Sequence, residues 1–209
     1  MGKQIKVLLL VGGAEYHDQP EHRQILSSFI GAKFDLTMSA DMGVLSRITL
    51  AGYDVIVNFT TFVEPSQNQV NALLEAVKGG KGYVSIHGGT ATFWNSAGYI
   101  DMVGGKFAVH DPNKLFEVKI STATKVVYPH PITEGVPDFQ IQDELYIVEG
   151  DMNEWEILAR AEGHAILYNK MYGKGRVHNN ALGHDGQALN VPEFQTLINN
   201  AIEWTALLR

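Results

Sequence analysis

Histidine is the residue type through which this 209-residue chain could do chemistry: there are eight, and there is no cysteine. An imidazole moves protons near neutral pH and ligates metals. Three of the eight follow apolar runs that read as buried strands. His17 stands in Tyr16-His17-Asp18, after residues 5–11 and Gly12-Gly13. His87 follows residues 82–86 and precedes Gly88-Gly89. His184 lies in Gly183-His184-Asp185, after residues 176–182. In open parallel sheets, ligands bind beyond the carboxyl ends of the strands, so these histidines could converge although far apart in sequence.

Each has a bland reading beside the chemical one. A strand, a His-Gly-Gly turn and a following helix would expose His87 and leave the Gly88 and Gly89 amides free to hold an anion. The glycines could instead serve only a tight turn. His184 beside Asp185 is an acid/base pair or a turn histidine fixed by its neighbour, and His17 is a ligand or part of a loop before a helix. Asp143-Glu144, read as opening a strand, supplies carboxylates that could act as ligand, base or orienting partner. His110, before Asp111-Pro112, could belong to the site. His130, before Pro131, is read as structural because the dipeptide restricts the backbone. His22, His164 and His178 are read as structural or exposed. Phe93 and Trp94 could wall a sugar ring or pack a helix into the core.

Composition removes several classes of function. Without cysteine there are no disulfides, thiolate ligands or cysteine nucleophiles. Charge is −7, from 16 Lys+Arg against 23 Asp+Glu, with no basic block, so nucleic acid is not an expected partner. The apolar start is too brief for a signal peptide, and no run approaches a membrane span, so a cytoplasmic protein is expected. There is no His-Glu-x-x-His, no Gly-x-Ser-x-Gly elbow and no Walker loop. Gly12-Gly13 lacks the rest of a dinucleotide fingerprint, so no nucleotide cofactor is expected.

The elements that must position these residues alternate. Strands are expected at 5–11, about 34–38, 54–59 and 82–86. Helices are expected at about 20–30, after a Ser66/Gln69 capping box with Val70, Leu73, Leu74 and Val77 on one face, and after Pro192 with Phe194, Leu197, Ile198, Ala201, Trp204 and Leu208 on one face. Strands at 115–120, 144–148, 157–161, 165–172 and 176–182 form an antiparallel excursion. The expected fold is a mostly parallel, flavodoxin-like doubly wound α/β sheet in one domain over 1–209.

At these motifs the chain resembles the ThuA-like family, named for a trehalose-utilisation protein and related to class I glutamine amidotransferases. The resemblance rests on residues 82–89, on 103–107 leading to His110, on 130–135, on 143–146 and on 183–185. It implies a class I glutamine amidotransferase-like fold and a link to the catabolism of disaccharides and their keto derivatives. It also sets His87 at the turn where related amidotransferases carry their cysteine, and His184 at the late histidine. Without a thiol, glutamine hydrolysis through a thioester cannot operate.

Three readings follow. The first is a metal-assisted sugar isomerase, epimerase, lyase or hydrolase, with one divalent ion, Zn²⁺ foremost, on some of His17, His87, His184 and Glu144. The second uses the same residues for acid/base chemistry without metal, with the His87-Gly88-Gly89 turn as an anion hole. The third is a non-catalytic carbohydrate- or partner-binding module. A homodimer is compatible with all three.

Overall fold

A computed structural model describes residues 4–121 and 129–206. The parallel half of the sheet comes from runs that are apolar on both faces and so must be covered on both sides. These are β1 (Lys6–Gly13), β2 (Asp35–Ser39), β3 (Val55–Thr61), β4 (Gly82–Ile86) and β11 (Gly175–Asn180). All of β3 and β4, and the inner six residues of β1, are buried.

One face is covered by α1 (Pro20–Gly31) and α6 (Pro192–Thr205), and the other by α2 (Arg47–Ala51), α3 (Gln67–Lys78) and α4 (Ala97–Val103). The Ser66 capping box is formed in full, and Val70, Leu73 and Val77 of α3 are buried as their spacing predicts. Phe194, Leu197, Ile198, Ala201 and Trp204 of α6 are buried too, while Leu208 lies outside the described residues.

Strand order is β2-β1-β3-β4-β11, all parallel, and the sheet then continues antiparallel through β10 (His164–Tyr172), β9 (Glu156–Ala161), β6 (Lys114–Ile120) and β7 (Phe139–Asp143). The excursion therefore returns through β11, which pairs with β10 on one side and β4 on the other. A separate two-stranded ribbon joins β5 (Lys106–His110) to β8 (Tyr146–Glu149). A short helix, α5 (Gly186–Leu189), links β11 to α6.

Three expectations change. The strand expected from residue 144 begins at Tyr146, and Asp143 instead closes β7, opposite Lys114. Glu144 thus sits in the bend between β7 and β8. Strands β5 and β7 carry too few apolar residues for the run-based reading to find them. No long helix follows the His-Gly-Gly turn directly: His87–Thr90 is one 3-10 turn, and α4 starts at Ala97.

Candidate metal centre

Strand order places the carboxyl ends of β1, β3, β4 and β11 side by side, with β1 and β3 flanking the point where chain direction across the sheet reverses. The turns beyond them are pressed together. A side chain at Gly13 (φ +103°) would put its Cβ 1.7 Å from the Thr61 carbonyl oxygen, and one at Gly88 would lie 1.8 Å from Thr61 Oγ1. Only glycine permits these approaches.

His17, His87, His184 and Glu144 meet there, each offering a ligand atom within 4.8 Å of the others. Ring centroids lie 4.9 Å apart for His17 and His87, 4.8 Å for His17 and His184, and 5.3 Å for His87 and His184. His184 Nδ1 is 3.0 Å from Glu144 Oε2 and 2.9 Å from His17 Nε2. His87 Nε2 is 3.6 Å from Glu144 Oε2.

Each member is held from behind, as metal ligands commonly are. His17 Nδ1 bonds Thr61 Oγ1 at 2.8 Å. His87 Nδ1 donates to the Ala181 carbonyl at 2.9 Å. Its backbone adopts φ +43°, and its ring lies against Tyr146, with centroids 3.9 Å apart. Tyr146 in turn stacks on Phe107 at 4.2 Å. The buried Asp143 accepts the amides of Gly183 (2.7 Å), His184 (3.1 Å) and Glu144 (2.8 Å), so one carboxylate ties down the two segments that carry His184 and Glu144.

The electrostatics follow from burial and neighbours. Burial, then the positive character of His87 and His184, pushes His17 down to about 3. Burial raises the Glu144 carboxyl, but hydrogen bonding and charge from His184 and His87 outweigh it and hold the group well below the usual carboxylate range. Burial lowers His184, yet Glu144, with Asp143 and Asp185, lifts it above its ordinary value. A proton on His184 Nδ1 thus faces an ionised carboxylate and a neutral imidazole. Burial also raises Asp143, against the pull of its three amides.

A cavity of about 370 Å³ opens above the quartet, lined by Tyr16, His17, Phe62, Phe107, His110, Glu144, Tyr146 and His184. His110 reaches it from the rim, with Nδ1 3.4 Å from Glu144 Oε1. The other sequence candidates fall elsewhere. Gly88 and Gly89 are buried against Thr61 and Ser85 and do not line the cavity. Asp185 caps α5, accepting the Gln187 and Ala188 amides, so its carboxylate is committed to the turn after His184. Phe93 is core, against Tyr99. Trp94 packs edge-on against Phe62 at 5.1 Å rather than lining the cavity.

Sequence reasoning allowed Asp143 an orienting role without showing what it orients, and missed Tyr16, Phe62, Phe107 and Tyr146 as walls. The Phe-x-Ile-x-Asp alternation of β7 was the available signal for Asp143. Among the remaining histidines, His130 and His178 are structural and buried. His178 Nδ1 bonds Asn169 Oδ1 at 2.9 Å, and His130 takes the Ile132 amide at 3.1 Å.

This architecture, with histidine at the turn after the central strand, is that of a class I glutamine amidotransferase-like domain lacking the thiol nucleophile. The chain belongs to the ThuA family, described as trehalose utilisation, whose family model matches residues 6–205. It is similar to a ThuA-like protein from Parabacteroides merdae, with a TM-score of 0.84 and 19% identity over 99% of this chain and 91% of that one. A cytoplasmic protein from Salmonella typhimurium aligns with a TM-score of 0.72 and 15% identity, over 96% of this chain and 99% of that one. A β-galactosidase from Bacillus circulans matches at 0.60 and 13% identity, over 94% of this chain but 30% of that enzyme. At these identities the structures share the fold. A search of curated proteins found no match. No helix among the described residues is long and apolar enough to cross a membrane.

Proposed function

We propose that the chain is an enzyme of carbohydrate catabolism, acting on a disaccharide or keto-sugar with one divalent metal ion, Zn²⁺ foremost, held by His17, His87, His184 and Glu144. One observation carries the metal. His87 Nδ1 is committed as a donor to Ala181, so Nε2 is the ring atom left to face the Glu144 carboxylate, 3.6 Å away and beyond hydrogen-bond reach, with no other partner. A metal ion between that nitrogen and the carboxylate would engage both, within reach of His17 and His184. Three imidazoles and one carboxylate are also a donor set that suits Zn²⁺ and its neighbours.

Such an ion supplies Lewis acidity toward a carbonyl or a water. The chain supplies the rest. Thr61, Ala181 and Asp143 hold the ligating side chains in place, and the Phe107–Tyr146 stack keeps water from the back of His87. His110, at the rim beside Glu144, is the group we assign to proton transfer. The family's description as trehalose utilisation supports the sugar. The cytoplasmic description of the Salmonella neighbour supports action in the cytoplasm.

A second reading rests on the opposed titration of the same groups: His184 raised beside a depressed Glu144 is an acid/base pair able to work without metal. Elemental analysis of untagged protein separates them. The metal reading expects about one ion per chain, lost in both His87→Ala and His184→Ala. Metal-free wild type that turns over a panel of disaccharides and keto-sugars at full rate after exhaustive chelation selects the acid/base reading.

A further inference from the structure

Two large aromatic side chains stand exposed at the mouth of the cavity above the quartet: Tyr16, 57% exposed, and Phe62, 49% exposed. Exposed apolar rings cost free energy in water, and Phe62 carries a second cost. Its backbone lies at φ +58°, a region that bulky residues adopt only under constraint. The constraint is visible. The Phe62 amide donates to the Ala91 carbonyl at 2.9 Å, the Val63 amide to Thr92 Oγ1 at 3.1 Å, and the Phe93 amide to the Val63 carbonyl at 2.8 Å. The segment after β3 is thereby laced to the segment after β4. The ring is braced as well, edge-on against Trp94, over which the Lys106 ammonium sits 4.8 Å from the ring centre. An exposed ring held rigid in a strained backbone is a prepared surface rather than a stray side chain.

The cavity it borders narrows the ligand's chemistry. Among the described residues no Lys or Arg lines it, so a phosphate-bearing ligand would meet no side-chain cation from them. Its floor is imidazole and carboxylate, suited to hydroxyl and carbonyl oxygens. Its volume of about 370 Å³ falls at the small end for a ligand pocket. A neutral molecule with polar edges and one apolar C–H face fits both halves, and a pyranose ring has that form. We infer that Phe62, with Tyr16 bordering the same cavity, is a sugar-stacking platform that takes the C–H face of a pyranose while its oxygens turn to the quartet. This rests on the carbohydrate part of the proposed function and not on the metal. Phe62 is accordingly a specificity-determining residue: it fixes which ring face and which oxygens approach the floor.

The test is calorimetric titration of the full chain with trehalose, maltose and glucose, alongside metal content and thermal melting. The variants are Phe62→Ala, Phe62→Gly and Phe62→Tyr. Sugar affinity is expected to fall about tenfold or more in Phe62→Ala and Phe62→Gly, the scale of a lost aromatic contact. Phe62→Tyr, which keeps the ring, is expected to bind as the wild type does, and metal content to stay constant throughout. Glycine tolerates the left-handed backbone that alanine does not, so Phe62→Gly should melt no lower than Phe62→Ala. Unchanged affinity in the Ala and Gly variants overturns the platform. A wild type that holds metal but binds none of the three sugars also overturns it, and leaves the metal reading standing. Metal-free protein whose sugar binding depends on Phe62 has the opposite meaning: the platform stands and the metal reading falls.

Discussion

Asp143 illustrates how a residue with no direct part in the chemistry can decide it. Its carboxylate, with no exposed surface, satisfies three backbone amides, two of them belonging to Glu144 and His184. Asp143→Ala would leave those amides buried and unmet, a loss of about 3 kcal/mol or more. Urea unfolding should register it, and metal retention should fall because His184 loses its anchor. The His184–Glu144 pair makes its own prediction. His184 is raised and Glu144 depressed in the fold, so the pair's contribution is full between their unfolded values of 4.5 and 6.5, and is lost as pH rises through the folded His184 value or falls through the folded Glu144 value. In metal-free Glu144→Gln, the carboxylate charge that lifts His184 is gone. The imidazole should then titrate at lower pH than in the wild type, as NMR of labelled histidine would read. An unmoved titration would mean that Glu144 is not its partner.

At the scale of elements, the site depends on how closely the turn after β4 approaches β3. Gly88 is the contact point, and Thr61 Oγ1, which a Cβ there would strike, is also the group that orients His17. Gly88→Ala should therefore destabilise by about 1–3 kcal/mol, as overpacking does, and also loosen metal binding through His17. Ser66→Ala offers the contrast. It removes the side-chain half of the capping box on α3, at a cost of about 1 kcal/mol, and touches nothing near the quartet. Equal metal content in both variants, at equal stability loss, would deny the turn its role in positioning.

Across the whole molecule, acid sensitivity is expected to come from His17 and from a second histidine pair outside the quartet. His178 on β11 is wholly buried, with Nε2 unpartnered, and burial and then His130 push it down to about 3. Burial and then Arg176 push His130 down to about 4, although Glu156 Oε2 lies 3.6 Å from its Nε2. Both rings are neutral in the fold and take up protons near pH 6.5 once unfolded. The contribution of these two rings is therefore full above about 6.5 and falls as pH drops toward 4, by about 2 kcal/mol per imidazole at pH 5. The slope of melting temperature against pH should flatten in His178→Gln, and an unchanged slope would assign acid sensitivity elsewhere.

Local pattern determined a good deal of this protein. Short apolar runs marked β1, β3 and β4, because strands buried on both faces leave no other composition open to them. Ser66 with Gln69 marked the start of α3, because a cap is satisfied within four residues. Since ligands gather where parallel strands end, the positions of His17, His87 and His184 pointed to one site. Tertiary structure decided what such patterns cannot carry. Glu144 joins the histidines because the chain bends between β7 and β8 there, and Asp143, not a local signal, holds that bend. Gly88 and Gly89 serve packing rather than the cavity, since only the position of β3 determines what lies against them. Phe62 rather than Trp94 borders the cavity for a similar reason. Which ring faces a cavity depends on a left-handed backbone held by hydrogen bonds from 29 residues away in sequence.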